Sequence, residues 1–140
     1  MYRQRRRDRH EELDGGLVKL LLRDAQKPLL RAICRIMARE IVESQVPAGK
    51  IPSLVVEAIW CEDWASATYS GQRHRFELRL DGGHREVDDA VAAIAATLGE
   101  VDVDVPGHIV AEFQLVEVAT VDVGSTMSVV IVCEALTIEN

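Results

Sequence analysis

The sequence predicts an α+β fold: N-terminal helices, then a β-β-α-β-β antiparallel sheet with the helices packed on one face. Three observations carry this expectation. Four segments rich in aliphatic residues have strand length, and those at Leu54–Cys61 and Arg73–Leu80 alternate with period two, as strands with a buried face do. One stripe at helical spacing (Val87, Val91, Ile94, Leu98) separates the second strand from the third. The connections hold too few crossover helices for a parallel doubly wound sheet, so an antiparallel sheet is required.

The elements follow in order. Residues 1–14 are polar and carry Arg3, Arg5, Arg6, Arg7 and Arg9. They bury too little apolar surface to offset chain entropy, so a flexible arginine-rich arm is expected. Residues 15–140 are expected to form a single α+β domain. Gly15-Gly16 opens it, and Leu17, Leu20 and Leu21 repeat at helical spacing. Pro28 suits the first turn of a second helix, where its missing N–H costs nothing. There Leu29, Leu30, Ile33, Met37 and Ile41 form a stripe, while Arg31, Arg35 and Arg39 form a solvated row.

Two prolines and a glycine make Gln45–Pro52 a loop. In Leu54–Cys61, Leu54, Val56, Ala58 and Trp60 are expected on one side, with Val55, Glu57, Ile59 and Cys61 on the other. Glu62–Gln72 is polar and reads as a long hairpin connection. Arg73–Leu80 returns with Phe76, Leu78 and Leu80 inward and His74, Glu77 and Arg79 outward. Asp81-Gly82-Gly83 turns into a helix from about Arg85 to Leu98, capped by Gly99. Val101–Val105 alternates with Asp102 and Asp104 and ends at Pro106-Gly107. A strand from about His108 to Val121, with Ile109, Ala111, Phe113 and Leu115 on one face, is joined through Val123-Gly124-Ser125-Thr126 to a last strand, Met127–Ile138.

Bulk properties narrow the function. A chain of 140 residues is one domain able to bury about two-thirds of its unfolded surface. No apolar run approaches the ~20 residues of a membrane helix, and no apolar core follows the first arginines as in a signal peptide. Cys34, Cys61 and Cys133 are an odd, widely spaced set, unlike a disulfide framework or a zinc site, and read as buried reduced thiols of a cytosolic protein. Residues 1–40 hold 11 Lys/Arg against 6 Asp/Glu, whereas residues 41–140 hold 5 against 17. An acidic body of that kind repels nucleic acid, although the arm could still touch phosphate.

No catalytic or cofactor constellation is legible. Dinucleotide and phosphate-loop glycine motifs and His-Glu-x-x-His are absent. His10-Glu11-Glu12 would ligate a metal only at the cost of ordering the arm. A triad built from one of His74, His84 and His108 with Cys61 or Ser66 has no supporting nucleophile motif. Asp88 and Asp89 are helix neighbours about 100° apart, suited to the helix dipole rather than to a shared proton. Trp64 and Tyr69 sit in a polar stretch; they either contact a partner or fold back over the sheet edge.

Several phrases in order give a family likeness: Val46-Pro47, Ile51-Pro52, Glu62-Asp63-Trp64-Ala65 with Thr68 and Gly71, Gly82-Gly83, Gly107-His108 and Ala135-Leu136-Thr137. The chain resembles the bacteriophage tail-terminator (minor tail, tail-completion) family, including the terminators of gene transfer agents, over residues 41–140 and loosely over 17–40. The resemblance implies a non-enzymatic assembly protein with no cofactor and no metal. It implies a homo-oligomeric ring, a hexamer on the tail tube, that caps the tube protein and meets the head–tail connector while DNA passes through its lumen unread. It implies assembly in the bacterial cytoplasm and residence at the head–tail junction of a virion or gene transfer agent particle.

Under that resemblance Glu62, Asp63, Trp64, Tyr69 and Arg73, with Asp122 and Ser125 of the last hairpin, are expected at contacts with subunits or tube. Arg3, Arg5, Arg6, Arg7 and Arg9 would face DNA or the connector. Two other readings compete with it. One is a small ligand- or partner-binding module with a pocket lined by Trp60, Phe113 and the central helix. The other is an arginine-armed nucleic-acid accessory protein.

Overall fold

The structure, a computed structural model, describes residues 25–45 and 50–139, without the side chains of 122 and 123. The arginine-rich arm, the Leu17–Leu21 helix and His10-Glu11-Glu12 lie outside the described residues. The elements run α1 (Gln26–Ser44), β1 (Ser53–Ala65), β2 (Ser70–Gly83), α2 (His84–Leu98), β3 (His108–Val123) and β4 (Thr126–Glu139). They form a four-stranded sheet in the order β1-β2-β4-β3, antiparallel at every pairing. This is the α+β arrangement expected from the sequence. No described helix is long and apolar enough to cross a membrane.

One core lies between the sheet and the two helices. α1 contributes Leu29, Ile33, Met37 and Ile41, and α2 contributes Val87, Ala90, Ile94 and Leu98. Both sets recur at helical spacing, so each helix buries a single stripe. Opposite them stand Phe76, Leu78 and Leu80 of β2 with Val129, Ile131, Cys133 and Ala135 of β4. These two inner strands alternate cleanly because they have a partner on each side and one buried face. The Gln45 side chain, just after α1, donates to the Glu86 carbonyl in the first turn of α2 at 2.9 Å. The two packed helices therefore run antiparallel, and the start of α1 lies toward the end of α2.

Several local expectations change. β1 and β2 extend through most of Glu62–Gln72, leaving only 66–69 as the turn. Trp64 is consequently a strand residue opposite Gly71. A bulge between Val56 and Ala58 flips the alternation of β1. Leu54, Val56, Ile59 and Cys61 then oppose the helix-facing residues of β2, while Val55, Ala58 and Trp60 take the other face. β3 carries two such irregularities, at 110/112 and 115/117. They group Val110, Phe113 and Leu115 against the core and leave Ile109 and Ala111 exposed.

His74 shares the parity of Phe76 and is buried at 1% exposure, contrary to its expected outward position. Val101–Val105 forms no strand beyond a bridge from Val105 to His108. Its alternation nonetheless sorts Val103 and Val105 inward and Asp102 and Asp104 outward.

Candidate functional site

The helices cover one sheet face, so the opposite face, the two edge strands and the hairpin ends remain as surfaces. On the helix-free face Arg73, Arg75 and Arg79 of β2 run between β1 and β4. Arg75 pairs with Glu134 at 2.9 Å, Arg79 with Asp81 at 2.9 Å, and Arg79 also with Glu57. Ser128 donates to Asp81 at 2.6 Å. That hydroxyl, with Arg79 second, holds the Asp81 carboxyl below its ordinary pKa. The bonds to Asp81 and Glu57 raise that of Arg79. Val132 and Leu136 lie on this face at 1% and 5% exposure, although no described helix covers them. Arg73 stands opposite Leu136 and Glu77 opposite Val132, long side chains whose stems suit packing over apolar neighbours. This face is closed by its own charges.

A shallow cleft of about 90 Å³ opens there between Trp60, Glu62, Arg73, Glu112, Gln114 and Glu134. Sites for drug-sized ligands span roughly 300–1,000 Å³, so this one suits a side chain or water at most. The pocket considered for a binding module does not form, because Trp60 and Phe113 belong to opposite faces of the sheet.

The histidines do not converge. His84 Nε2 is 3.0 Å from the Gly124 carbonyl and ties the β3–β4 turn to the start of α2. His108 contacts the Pro106 carbonyl at 3.2 Å. His74 does stand opposite Cys61, with its Nε2 2.8 Å from the Thr137 hydroxyl and its ring stacked on Phe76. Both His74 and Cys61 are only 1% exposed, so this pair is sealed from any substrate. Its period-two spacing from Phe76 was the available signal for its burial. Among the described residues no group of three or more His, Cys, Asp and Glu could hold a metal ion.

The contact residues expected from the sequence divide between two ends of the sheet. Glu62 opposes Arg73 and Asp63 opposes Gln72 where β1 meets β2. Tyr69, 56% exposed, tips that hairpin. The turn is rigid: the Ser66 hydroxyl accepts the Tyr69 and Thr68 N–H groups, and the Ser66 N–H donates to the Tyr69 carbonyl at 2.8 Å. Ser125 lies at the opposite end, in the β3–β4 turn beside Gly83 and α2. Asp122 is in β3 near that turn.

The sequence predicts the strand from about His108 to Val121, but not the apolar residues that it leaves exposed. Among the described residues β3 pairs along its length with β4 alone, apart from the Val105–His108 bridge, and exposes Ile109, Val116, Val118 and Val121. They do not share one face: Val118 stands opposite core residue Ile131, whereas Val121 stands opposite Ser128, so no single period marks them.

No family model matches the chain, and no curated protein matches it. Among solved structures it is similar to a chain of the "Virion of native gene transfer agent (GTA) particle", with TM-score 0.61 and 16% identity, covering 79% of this chain and 94% of that one. The likeness is one of fold. The type 4 fimbrial biogenesis protein PilO from Pseudomonas aeruginosa aligns at TM-score 0.40 and 16% identity, over 89% of this chain and 78% of that one.

Proposed function

We propose that this chain is a structural, non-enzymatic protein of a phage-like or gene transfer agent particle, which caps the tail tube as a ring and forms the head–tail joining surface. The observation that carries this reading is the shared fold with a chain of a gene transfer agent virion, which this protein matches over 94% of that chain's length. The ordered sequence phrases support the narrower role of terminator. So does the architecture: a rigid sandwich whose largest free features are two sheet edges and two hairpin ends suits fitting against neighbours.

In this reading the β1–β2 end, with Trp64 and Tyr69, and the β3–β4 end, with Ser125, contact different neighbours along the tube axis. Tube and connector are those neighbours, with copies of the chain side by side around the ring.

Electron microscopy of the protein mixed with tail tubes from the same particle tests this. Extra density at one tube end, with tube elongation arrested, is the expected result. Tubes that keep growing with both ends bare would overturn the reading.

A further inference from the structure

The outer face of α1 carries a charge pattern that the helix itself does not need. Lys27, Arg31, Arg35 and Arg39 recur at every fourth position and are all exposed. Each step advances about 6 Å and turns about 40°, so the four form one row about 18 Å long. The buried stripe Leu29, Ile33, Met37 and Ile41 starts two residues later and repeats in the same way. The two rows therefore stay about 160° apart, with the cations directed away from the core.

Local energetics do not account for this row. It contains three pairs of like charge at i,i+4, a spacing at which they oppose the helix. No acid lies in the first turn of α1 and no base in the last. Lys27 near the start and Glu43 near the end are the reverse of what the helix dipole favours. Arg39 reaches Glu40 at 3.8 Å. Lys27, Arg31 and Arg35 have no carboxylate partner among the described residues, whereas Arg75, Arg79 and Arg85 of the sheet and α2 are paired. The neighbouring helix leaves the row unopposed as well. α2 runs antiparallel to α1 and is uncharged from Ala90 to Leu98, the part beside the first half of the row.

Such a row calls for an external polyanion, and the rest of the face decides which. The other exposed positions of α1 are Ala38, Val42 and Glu43, so the face holds no aromatic ring, hydroxyl or amide. A protein interface gathers aromatic anchors at its centre and keeps charge out of it. Single strands are held by stacking on aromatic side chains, and RNA duplexes largely through 2′-hydroxyls. A DNA duplex needs neither, since its phosphates can be met by a rigid row of cations. The acidic remainder of the chain opposes approach from afar but acts weakly beyond about 8 Å at physiological salt. We propose that the outer face of α1 binds the phosphate backbone of duplex DNA without reading its sequence. Arg31 and Arg35 form the centre of this surface, and Lys27 and Arg39 flank them.

DNA contact of this kind does not depend on the terminator role. Fluorescence anisotropy of a labelled duplex of about 30 base pairs with the full chain, from about 50 to 200 mM salt, tests it. Each lost phosphate contact lowers the slope of log K against log salt by about 0.9. R31Q/R35Q is therefore expected to lower it by about 1.8 and to weaken binding at 0.1 M salt tenfold or more. R31K/R35K should restore both. The Tm of R31Q/R35Q should equal or slightly exceed that of wild type, because repelling pairs are removed. In an R5Q/R7Q background the same drop is expected, which separates α1 from the arginines of residues 1–14. Wild type that fails to bind the duplex at about 50 mM salt, or an R31Q/R35Q slope equal to wild type, overturns the proposal. So does a drop that disappears in the R5Q/R7Q background. Binding to phosphatidylserine vesicles but not to DNA would assign the row to a membrane surface instead. Self-association without DNA that R31Q/R35Q abolishes would assign it to a second copy.

Discussion

Asp81 is held by two donors, the Ser128 hydroxyl at 2.6 Å and the Arg79 Nε at 2.9 Å, and its pKa lies below the ordinary carboxylate range. A depressed folded-state pKa means the ionised form favours the fold. That stabilisation is complete above the unfolded pKa of about 3.9 and is lost as pH falls through the lower folded value. Removing the larger cause should weaken the linkage. Ser128→Ala is expected to lower the urea midpoint at pH 7 and to flatten the loss of stability below about pH 4. Denaturant titrations across pH 2–7 read both effects, and an unchanged acid slope would show that Arg79 alone sets the shift. Cys133 differs in kind: burial pushes its thiol up to about 12, with the nearby Cys34 adding to the rise. At pH 8 it is then almost wholly protonated and inert. A thiol reagent is expected to label half-buried Cys34 first and Cys133 only as fast as the chain opens, so mass spectrometry of timed samples should follow the unfolding rate.

Among the elements, β2 and β4 are the most constrained, because each is paired on both sides. Gly71 shows how closely they approach: a Cβ there would fall inside the van der Waals contact of the Thr137 carbonyl oxygen. Gly71→Ala is expected to destabilise the fold by roughly 1–3 kcal/mol through forced separation of the two strands, measurable as a drop in Tm. Substitution of exposed Gly124, whose φ is +60°, meets no neighbour and strains only the turn. The sequence signal for Gly71 was ambiguous, since a glycine after a serine reads equally as a turn. The same limit explains what else was legible. Helix stripes such as Leu29–Ile33–Met37–Ile41 and the alternation Phe76–Leu78–Leu80 were readable because one buried face imposes a strict period. β1 was misread beyond Val56, and β3 ahead of Phe113 at Ile109 and Ala111, because one extra residue reverses the side chains on one side of it relative to the other, and bulges carry no fixed composition. The candidate contact surface was half legible. Tyr69 does protrude, but the hairpin that presents it is a short, hydrogen-bonded turn.

On the scale of the molecule, charge and shape pull in different directions. Residues 41–140 are strongly acidic, so copies approaching side by side repel one another until salt or a template offsets the field. Free chains are therefore expected to stay apart at low ionic strength and to associate more readily at about 0.5 M salt, where the screening length falls to about 4 Å. Sedimentation at several salt concentrations would detect this, and weaker association at high salt would mean that ion pairs between copies dominate. Under the proposed role, a tail tube supplies the template by holding copies at fixed spacing, which raises their effective concentration. The β1–β2 end then becomes the sensitive point, since Tyr69 is a rigidly presented aromatic anchor of the kind that concentrates interface energy. Tyr69→Ala is expected to weaken capture by tubes about tenfold or more while leaving Tm within a degree or two, because the exposed ring contributes little to the core. Ser125→Ala, at the opposite end, should leave tube capture intact and instead impair attachment of filled heads. Co-sedimentation with tubes and a head-joining assay separate these outcomes. If both variants behave as wild type in both assays, the two hairpin ends are not the joining surfaces, and the exposed valines of β3 are next to be tested.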